Sequence, residues 1–154
     1  MKTDISGASS LIQIKAQVQA GHADLRLMLD DLDRQLSGSE SSSTEQSVRA
    51  GLSDAVWSLF LALDAHLNME EHDLLPHLRE AGGVAAIERI REEHHEQRTV
   101  LLAMVDKCEA ATTPTAKIVA DVRLLVESLR KDMDREDLEI DRLAAAPFVS
   151  TANV

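Results

Sequence analysis

Large rings, cysteine and helix breakers are all scarce in this sequence of 154 residues. Aromatic side chains make up 2% of it, with one Trp, two Phe and no Tyr, and it holds one Cys, three Pro and six Gly. Because 44% of the residues are nonetheless hydrophobic, the core must be filled by aliphatic side chains, which favour helices over strands. The length fits one domain, which we expect to span residues 1–154.

Positive charge and long apolar runs are also lacking. The chain has 16 Lys and Arg against 27 Asp and Glu, a net charge of −11, so it lacks the basic surface that nucleic acids and anionic membranes attract. The single Cys108 excludes an internal disulfide framework and a cysteine-rich zinc site. No apolar run is long enough to span a bilayer, and no secretory leader is visible. We therefore expect a cytoplasmic protein with no nucleic-acid or membrane partner.

The few breakers predict four long helices. Five of these nine residues fall in three stretches: a serine-rich one at 37–43, one at 76–83 that contains Pro76, and one at 112–114. The segments between them cover residues 11–36, 48–78, 84–110 and 115–143. Short connections between long helices make neighbours antiparallel. The predicted fold is therefore all-α, an antiparallel up-down-up-down four-helix bundle with loosely held tails at 1–10 and 144–154. We find no internal sequence repeat.

Each predicted helix carries an aliphatic seam whose residues recur three and four apart, the spacing that faces a bundle core. Imidazoles and carboxylates interrupt all four seams. The interrupting residues are His22, His66, Glu70, His94, Asp132 and Glu136. At about 1.5 Å of rise per residue, their levels along the four helices agree to within about two turns. We therefore expect the six side chains to meet in one layer of the core.

The chemistry of this layer predicts a metal site. An unpaired carboxylate in an aliphatic core is costly, and imidazole with carboxylate suits iron, manganese or zinc. The spacing of His66 and Glu70, and of Asp132 and Glu136, puts both members of each pair on one helix face. The second residue of each pair, a glutamate, can then reach inward between two metals. Six ligands are too many for one tetrahedral zinc and about right for a carboxylate-bridged metal pair.

Several nearby residues leave alternatives open. His94 continues an aliphatic stripe whereas His95 follows the polar face, so His94 is the preferred ligand. His77 falls close to the Glu70 face and is kept as a reserve ligand, although Pro76 should distort the helix there. Asp132 is either a ligand or a carboxylate beside the site, if the fourth helix is rotated slightly.

The remaining charged and sulfur-containing residues have simpler interpretations. His72 points away from the His66 face and is interpreted as a surface residue. The acidic runs at 92–96 and 134–141, with interleaved cations that include Arg98, are interpreted as solvated faces. Cys108 is interpreted as a small buried hydrophobic residue.

This pattern resembles the hemerythrin-like, or HHE cation-binding, domain family, over residues 11–143. The family motif has a His on the first helix, His-x-x-x-Glu on the second, a His on the third and His-x-x-x-Glu on the fourth. Here these are His22, His66 with Glu70, His94, and a fourth-helix motif that ends at Glu136. The second motif, with its trailing Leu-Leu-Pro, is the most specific part.

The resemblance implies a non-haem di-iron centre that meets O2 or a related small molecule. It implies two iron ions, Fe²⁺ or Fe³⁺, bridged by Glu70, Glu136 and a solvent-derived oxo or hydroxo group; manganese or zinc is possible. Two departures matter: Asp132 stands where the family has His, and Arg98 stands where oxygen carriers have another His. An added carboxylate favours the higher metal oxidation state, so reversible O2 carriage is expected less than sensing or redox reaction.

Three functional hypotheses follow. The first is a protein that binds or senses a small diatomic or peroxide ligand (O2, NO or peroxide) at a carboxylate-bridged iron pair. The second is a di-iron enzyme of peroxidase or oxidase type, so catalysis is left open. The third is a bundle with one zinc ion or a purely structural role. A hydrolase with a Ser-His-Asp triad is not supported, because no strand-turn-helix nucleophile motif occurs.

Overall fold

The computed structural model describes residues 5–38, 44–80 and 83–145, which are almost entirely helical. The elements are α1 (Ile5–Gly38), α2 (Glu45–Met69), a π-helical turn (Glu70–Leu74), α3 (Leu75–Glu80), α4 (Val84–Glu109) and α5 (Thr115–Ala145). Because α2, the π-helical turn and α3 follow without a break, the described residues form four long helical segments. They contain no strand, which confirms the all-α prediction and is consistent with a helical bundle.

The helix boundaries lie close to the predicted ones except at the amino end. Helix α1 begins at Ile5, so residues 5–10 of the predicted tail are helical. No proline interrupts this stretch, and the helix therefore continues through it. The predicted tails at 1–4 and 146–154, and residues 39–43 of the predicted serine-rich loop, lie outside the described residues.

Hydrogen bonds cap the start of α2 and hold the connection between α4 and α5. The side-chain oxygen of Thr44 accepts the N–H of Ser47 at 3.3 Å and caps α2. Arg49 of α2 donates to the carbonyl of Thr113 at 2.7 Å and also to that of Ala110. The connection between α4 and α5 is therefore held against α2.

The π-helical turn lets the second helical segment continue past Pro76. The N–H of Leu75 bonds to the carbonyl of Glu70, five residues earlier. Pro76 has no N–H, and its ring crowds the carbonyl four residues before it, so a regular α-helix is strained there. The widened turn relieves this, and the helix continues to Glu80 rather than closing at the proline. Such turns are frequent at functional sites, and this one begins at a predicted ligand.

The buried aliphatic residues form two separate clusters. One lies toward the carboxyl end of α1 and includes Leu29, Leu59 and Leu101. The other, toward the amino end of α1, includes Val18 and Leu74. Along each of the four segments, the predicted polar residues occur between members of the two clusters. The polar layer therefore divides the core in two. Among the described helices, none is both long enough and apolar enough to cross a membrane.

Candidate metal centre

The polar layer is assembled from all four segments. His22 comes from α1, His66 from the end of α2, Glu70 from the start of the π-helical turn, His94 from α4 and Glu136 from α5. The first four are at most 8% exposed, and Glu136 is partly buried. Aliphatic clusters lie on both sides of the layer, so its polar atoms must find their partners inside the protein.

One end of the layer contains two imidazoles. Nε2 of His66 lies 2.7 Å from Oε1 of Glu70, and Nε2 of His22 lies 3.4 Å from the same oxygen. Nε2 of His22 is also 3.5 Å from Oε2 of Glu136. Two nitrogens and two oxygens from four residues therefore converge here. We call this the two-histidine end.

The other end contains one imidazole. Nε2 of His94 lies 3.2 Å from Oε2 of Glu70 and 3.8 Å from Oε1 of Glu136. We call this the one-histidine end. Each of the two glutamates thus turns one oxygen toward each end, as a carboxylate does when it bridges two metal ions. In each of two groups, His22 with His66 and Glu70, and Glu70 with His94 and Glu136, the ligand atoms lie within 4.8 Å of one another.

Most of the atoms that face the centre lie close to one another without the geometry of a hydrogen bond. Among the described residues, these buried atoms include Nε2 of His66 and His94, both oxygens of Glu70 and Oε1 of Glu136. Buried nitrogen and oxygen atoms without a well-formed hydrogen bond are costly. Imidazole nitrogen and carboxylate oxygen together are the ligands that iron, manganese and zinc accept. The donor set therefore fits a bound metal cation.

The electrostatics of the layer also favour a cation. For His22, burial disfavours the charged ring, but carboxylates, first that of Glu136, outweigh burial and raise the pKa to about 10. The pKa of His94 is also raised to about 10, because its carboxylate neighbours outweigh burial in the same way. Burial disfavours ionised Glu70, but its three imidazole neighbours outweigh this and lower its pKa. Protons thus occupy positions that a metal cation can take.

The outer nitrogens of His22 and His94 also meet carboxylates. Nδ1 of His22 lies 2.7 Å from Oδ1 of Asp137, and Nδ1 of His94 lies 2.9 Å from Oε1 of Glu71. An Nδ1–H that donates to a carboxylate leaves the lone pair of Nε2 facing the centre and fixes the ring. Both rings are therefore oriented as metal ligands. Asp137 was predicted to lie on a solvated face, and this prediction was wrong.

Arginines hold both outer carboxylates. Arg26 lies one turn after His22 and donates to Oδ2 of Asp137 at 2.8 Å. Arg98 lies one turn after His94 and donates to Oε1 of Glu71 at 2.8 Å. Arg98 also donates to Asp64 at 2.6 Å and to Asn68 at 2.9 Å. The interpretation of Arg98 as part of a solvated face was therefore wrong, because its guanidinium spans from α4 to three residues of the second segment.

These contacts give the centre an approximate twofold organisation. The equivalent pairs are His22 and His94, Arg26 and Arg98, Glu70 and Glu136, Glu71 and Asp137, and His66 and Asp132. A short motif thus recurs around the site, although the sequence analysis found no repeat. An acidic residue directly after each glutamate, and an Arg four residues after both His22 and His94, were signals present in the sequence.

Asp132 is the only predicted ligand that the structure leaves outside both groups of potential ligands in the described residues. Its Oδ2 accepts the side-chain amide of Gln97 at 3.3 Å, and its Oδ1 accepts Arg135 at 3.1 Å. Its alternative interpretation, as a carboxylate beside the site, matches this position. The physical reason is reach, since an aspartate side chain is shorter than the histidine at the equivalent position 66.

His72, His95 and Cys108 lie where the sequence indicated, and His77 does not act as the reserve ligand. His72 and His95 are exposed, and Cys108 is buried, with its pKa raised by burial. His77, the reserve ligand, uses Nδ1 to contact the carbonyl oxygen of Asp73 at 2.9 Å. It lies in neither group of potential ligands.

Gly21 is a further residue that the sequence analysis missed. A Cβ atom built there would lie 2.6 Å from Cε1 of His66, and closer still to Nδ1 of that ring. The absence of a side chain on α1 therefore makes room for the imidazole that α2 supplies. A glycine inside a predicted helix, next to a predicted ligand, was the available signal.

Comparison with known proteins agrees with this geometry. No curated protein and no solved structure matches the chain. The family model of the hemerythrin HHE cation-binding domain matches residues 14–143. The matched range covers most of the chain and includes all the residues of the polar layer. The chain therefore belongs to the hemerythrin HHE cation-binding domain family.

Proposed function

We propose that this chain binds a pair of iron ions between its helices and uses them to bind or sense O2, NO or peroxide. The helices would follow one another in antiparallel, up-down-up-down order. The observation that carries the proposal is the placement of Glu70 and Glu136. Each carboxylate has one oxygen near a histidine at either end of the layer. Such a layer supports two metal positions better than one.

The residues divide between the two positions. His22 and His66 would hold one ion, His94 would hold the other, and Glu70 and Glu136 would contribute one oxygen to each. When bound, the metal pair supplies Lewis acidity and electrons toward a small ligand. The protein's own part is to orient the rings through Nδ1 and to keep the layer between two aliphatic clusters. Manganese or zinc could use the same donors.

A second candidate function is a redox enzyme that consumes peroxide. The observation that favours it is the donor set of the one-histidine end, where His94 faces two carboxylates and one imidazole fewer is present than at the two-histidine end. An incompletely ligated metal leaves positions for a substrate. Peroxide loss above that caused by free iron would favour the enzyme, and its absence would favour the binding protein.

The test of the metal centre is metal content together with the absorption spectrum, in air and after reduction. We expect two irons per chain and a visible band that changes on reduction. His66→Ala should lose most of the metal, because it removes one of two imidazoles at the two-histidine end. His72→Ala, an exposed histidine six residues away, is the matched control and should keep full metal content.

Two outcomes would contradict the proposal. The first is a His66→Ala variant that keeps full iron content with an unchanged spectrum. The second is a colourless protein with one zinc per chain after iron has been supplied. That result would instead support the mononuclear zinc or structural alternative.

A further inference from the structure

Gln97 and Asp132 form a polar pair beside the one-histidine end. Gln97 lies one turn after His94 on α4, and Asp132 lies one turn before Glu136 on α5. The side-chain amide nitrogen of Gln97 donates to Oδ2 of Asp132 at 3.3 Å. Residues three or four apart share a helix face, so the pair is adjacent to His94 and Glu136.

The pair fixes which way the amide of Gln97 points. An ionised carboxylate only accepts hydrogen bonds, so the NH2 group must face Asp132 and the oxygen must face away from it. That oxygen, Oε1, is buried and has no hydrogen-bond partner among the described residues. A buried amide oxygen without a donor is unfavourable. It is therefore an acceptor that remains available to a donor in the space beside it.

A cavity between α4 and α5 reaches this pair. Its volume is about 240 Å³, and its lining includes Gln97, Asp132, Glu93, Glu96 and Arg135. Arg135 already pairs with Glu93 at 3.2 Å and with Asp132 at 3.1 Å. The negative charges on this wall outnumber the positive one. The cavity is therefore large enough for a small ligand and is unfavourable for an anion.

In the approximate twofold organisation, Asp132 and Gln97 stand at positions that carry a ligand and an apolar residue at the two-histidine end. The position equivalent to Asp132 is His66, and the position equivalent to Gln97 is the buried Leu25. At the two-histidine end an imidazole and a leucine close the layer. At the one-histidine end the same two positions carry a hydrogen-bonded polar pair next to a cavity, and one donor fewer faces the centre. Exchangeable ligand positions are thus expected at the one-histidine end.

We propose that Gln97 determines ligand specificity at the one-histidine end. Its Oε1 accepts a hydrogen bond from a small, neutral, proton-bearing ligand such as hydrogen peroxide. Asp132 holds the amide in the required orientation, and its charge disfavours anionic ligands. This inference rests on the proposed metal centre and names the class of ligand that the centre takes.

The test compares two probes on the iron-loaded protein. Hydrogen peroxide bears protons, and its binding is followed as the amplitude of the stopped-flow absorbance change against peroxide concentration. Azide is an anion without a proton to donate, and its binding is followed by equilibrium absorption titration. Gln97→Leu should weaken peroxide binding about five- to tenfold, the value of one hydrogen bond, with little change for azide. Asp132→Asn should strengthen azide binding about tenfold.

Gln17→Leu, the same substitution at an exposed position of α1, is the matched control and should change neither affinity. Gln97→Met, which keeps the side-chain length, is the second variant in case Leu perturbs packing. Equal peroxide affinity in wild type and in a metal-loaded Gln97 variant would overturn the inference. Loss of metal from both Gln97 variants would also overturn it, because Gln97 would then support the metal. A wild-type chain that holds no metal would contradict the proposed function itself.

Discussion

Nδ1 of His94 lies 2.9 Å from Oε1 of Glu71, and Arg98 donates to that same oxygen at 2.8 Å. The orientation of the only imidazole at the one-histidine end therefore depends on the ionisation of a residue outside the centre. Burial disfavours ionised Glu71, but Arg98 and His94 outweigh burial and lower its pKa. Glu71 thus remains a carboxylate at neutral pH and keeps Nε2 of His94 facing Glu70.

Glu71→Ala is expected to weaken metal binding at the one-histidine end about 10- to 100-fold, the usual effect of removing a carboxylate behind a metal-bound imidazole. Competition with a chelator measures the affinity of each metal equivalent separately. The affinity for the second metal ion should fall, whereas the affinity for the first should change less, because Glu71 orients His94 at the one-histidine end.

Two variants sharpen this test. Glu71→Gln keeps an oxygen that accepts the Nδ1–H of His94, so it should restore part of the affinity. Glu92→Ala, an exposed carboxylate on α4, should leave both equivalents unchanged. A Glu71→Ala protein with wild-type affinities would show that Glu71 does not orient His94.

The positions facing the core could be predicted from the sequence because they follow one rule. Aliphatic residues spaced three and four apart must face the core, so any imidazole or carboxylate in the same series is placed there too. The rule placed His22, His66 and His94 in the layer, all of them buried in the structure. It also placed Asp132 on the seam, where the structure finds it partly buried.

The contacts around the layer could not be predicted by the same rule. Asp137 and Arg98 lie next to the seam, and there a helical wheel does not separate a solvated residue from one that contacts a neighbouring helix. The relative rotation of two helices decides this, and the sequence of one helix does not contain it. The π-helical turn was also missed, because Pro76 predicts a disruption but not how the backbone resolves it.

Metal binding at pH 8 is expected to release protons. The pKa of His22 and that of His94 are each raised from 6.5 to about 10 in the folded, metal-free protein, so both rings are protonated there. A metal at Nε2 requires a neutral ring, and up to two protons leave when both positions fill. Calorimetric titration in two buffers with different protonation enthalpies counts them. His94→Ala should remove about one released proton, and His95→Ala, an exposed neighbour, should remove none.

The same pKa shifts set the sign of the stability change with pH. Both groups hold protons more tightly when folded than when unfolded. Their contribution to the metal-free protein is therefore fully present below pH 6.5 and is lost as the pH rises through about 10. Urea unfolding of metal-free protein at pH 6.5 and 9.5 measures this contribution. A higher free energy of unfolding at pH 9.5, or metal binding at pH 8 without proton release, would contradict the assignment.

Asp132→His restores an imidazole at the position equivalent to His66. We expect it to tighten binding of the second metal equivalent by about tenfold, since a metal-ligand bond replaces a contact with Gln97, and to shift the visible spectrum. Metal content, chelator competition and absorption check this. Asp134→His, at an exposed position two residues further along α5, controls for a histidine that cannot reach the centre. If Asp132→His left affinity and spectrum unaltered, position 132 would not tune the centre.

Gly21→Ala separates helix stability from site geometry. Alanine is favoured over glycine inside a helix by up to about 1 kcal/mol, so intrinsic propensity alone predicts stabilisation. At position 21, however, the added Cβ would lie 2.6 Å from Cε1 of His66, and the ring must move away from Glu70. We expect lost metal at the two-histidine end, measured by metal content, with the helical circular dichroism retained. At Gly51 a Cβ meets nothing within 4 Å, so Gly51→Ala should keep all metal and raise the free energy of unfolding by about 0.5–1 kcal/mol. If Gly21→Ala kept its metal as Gly51→Ala does, the close approach of α1 would not be what positions His66.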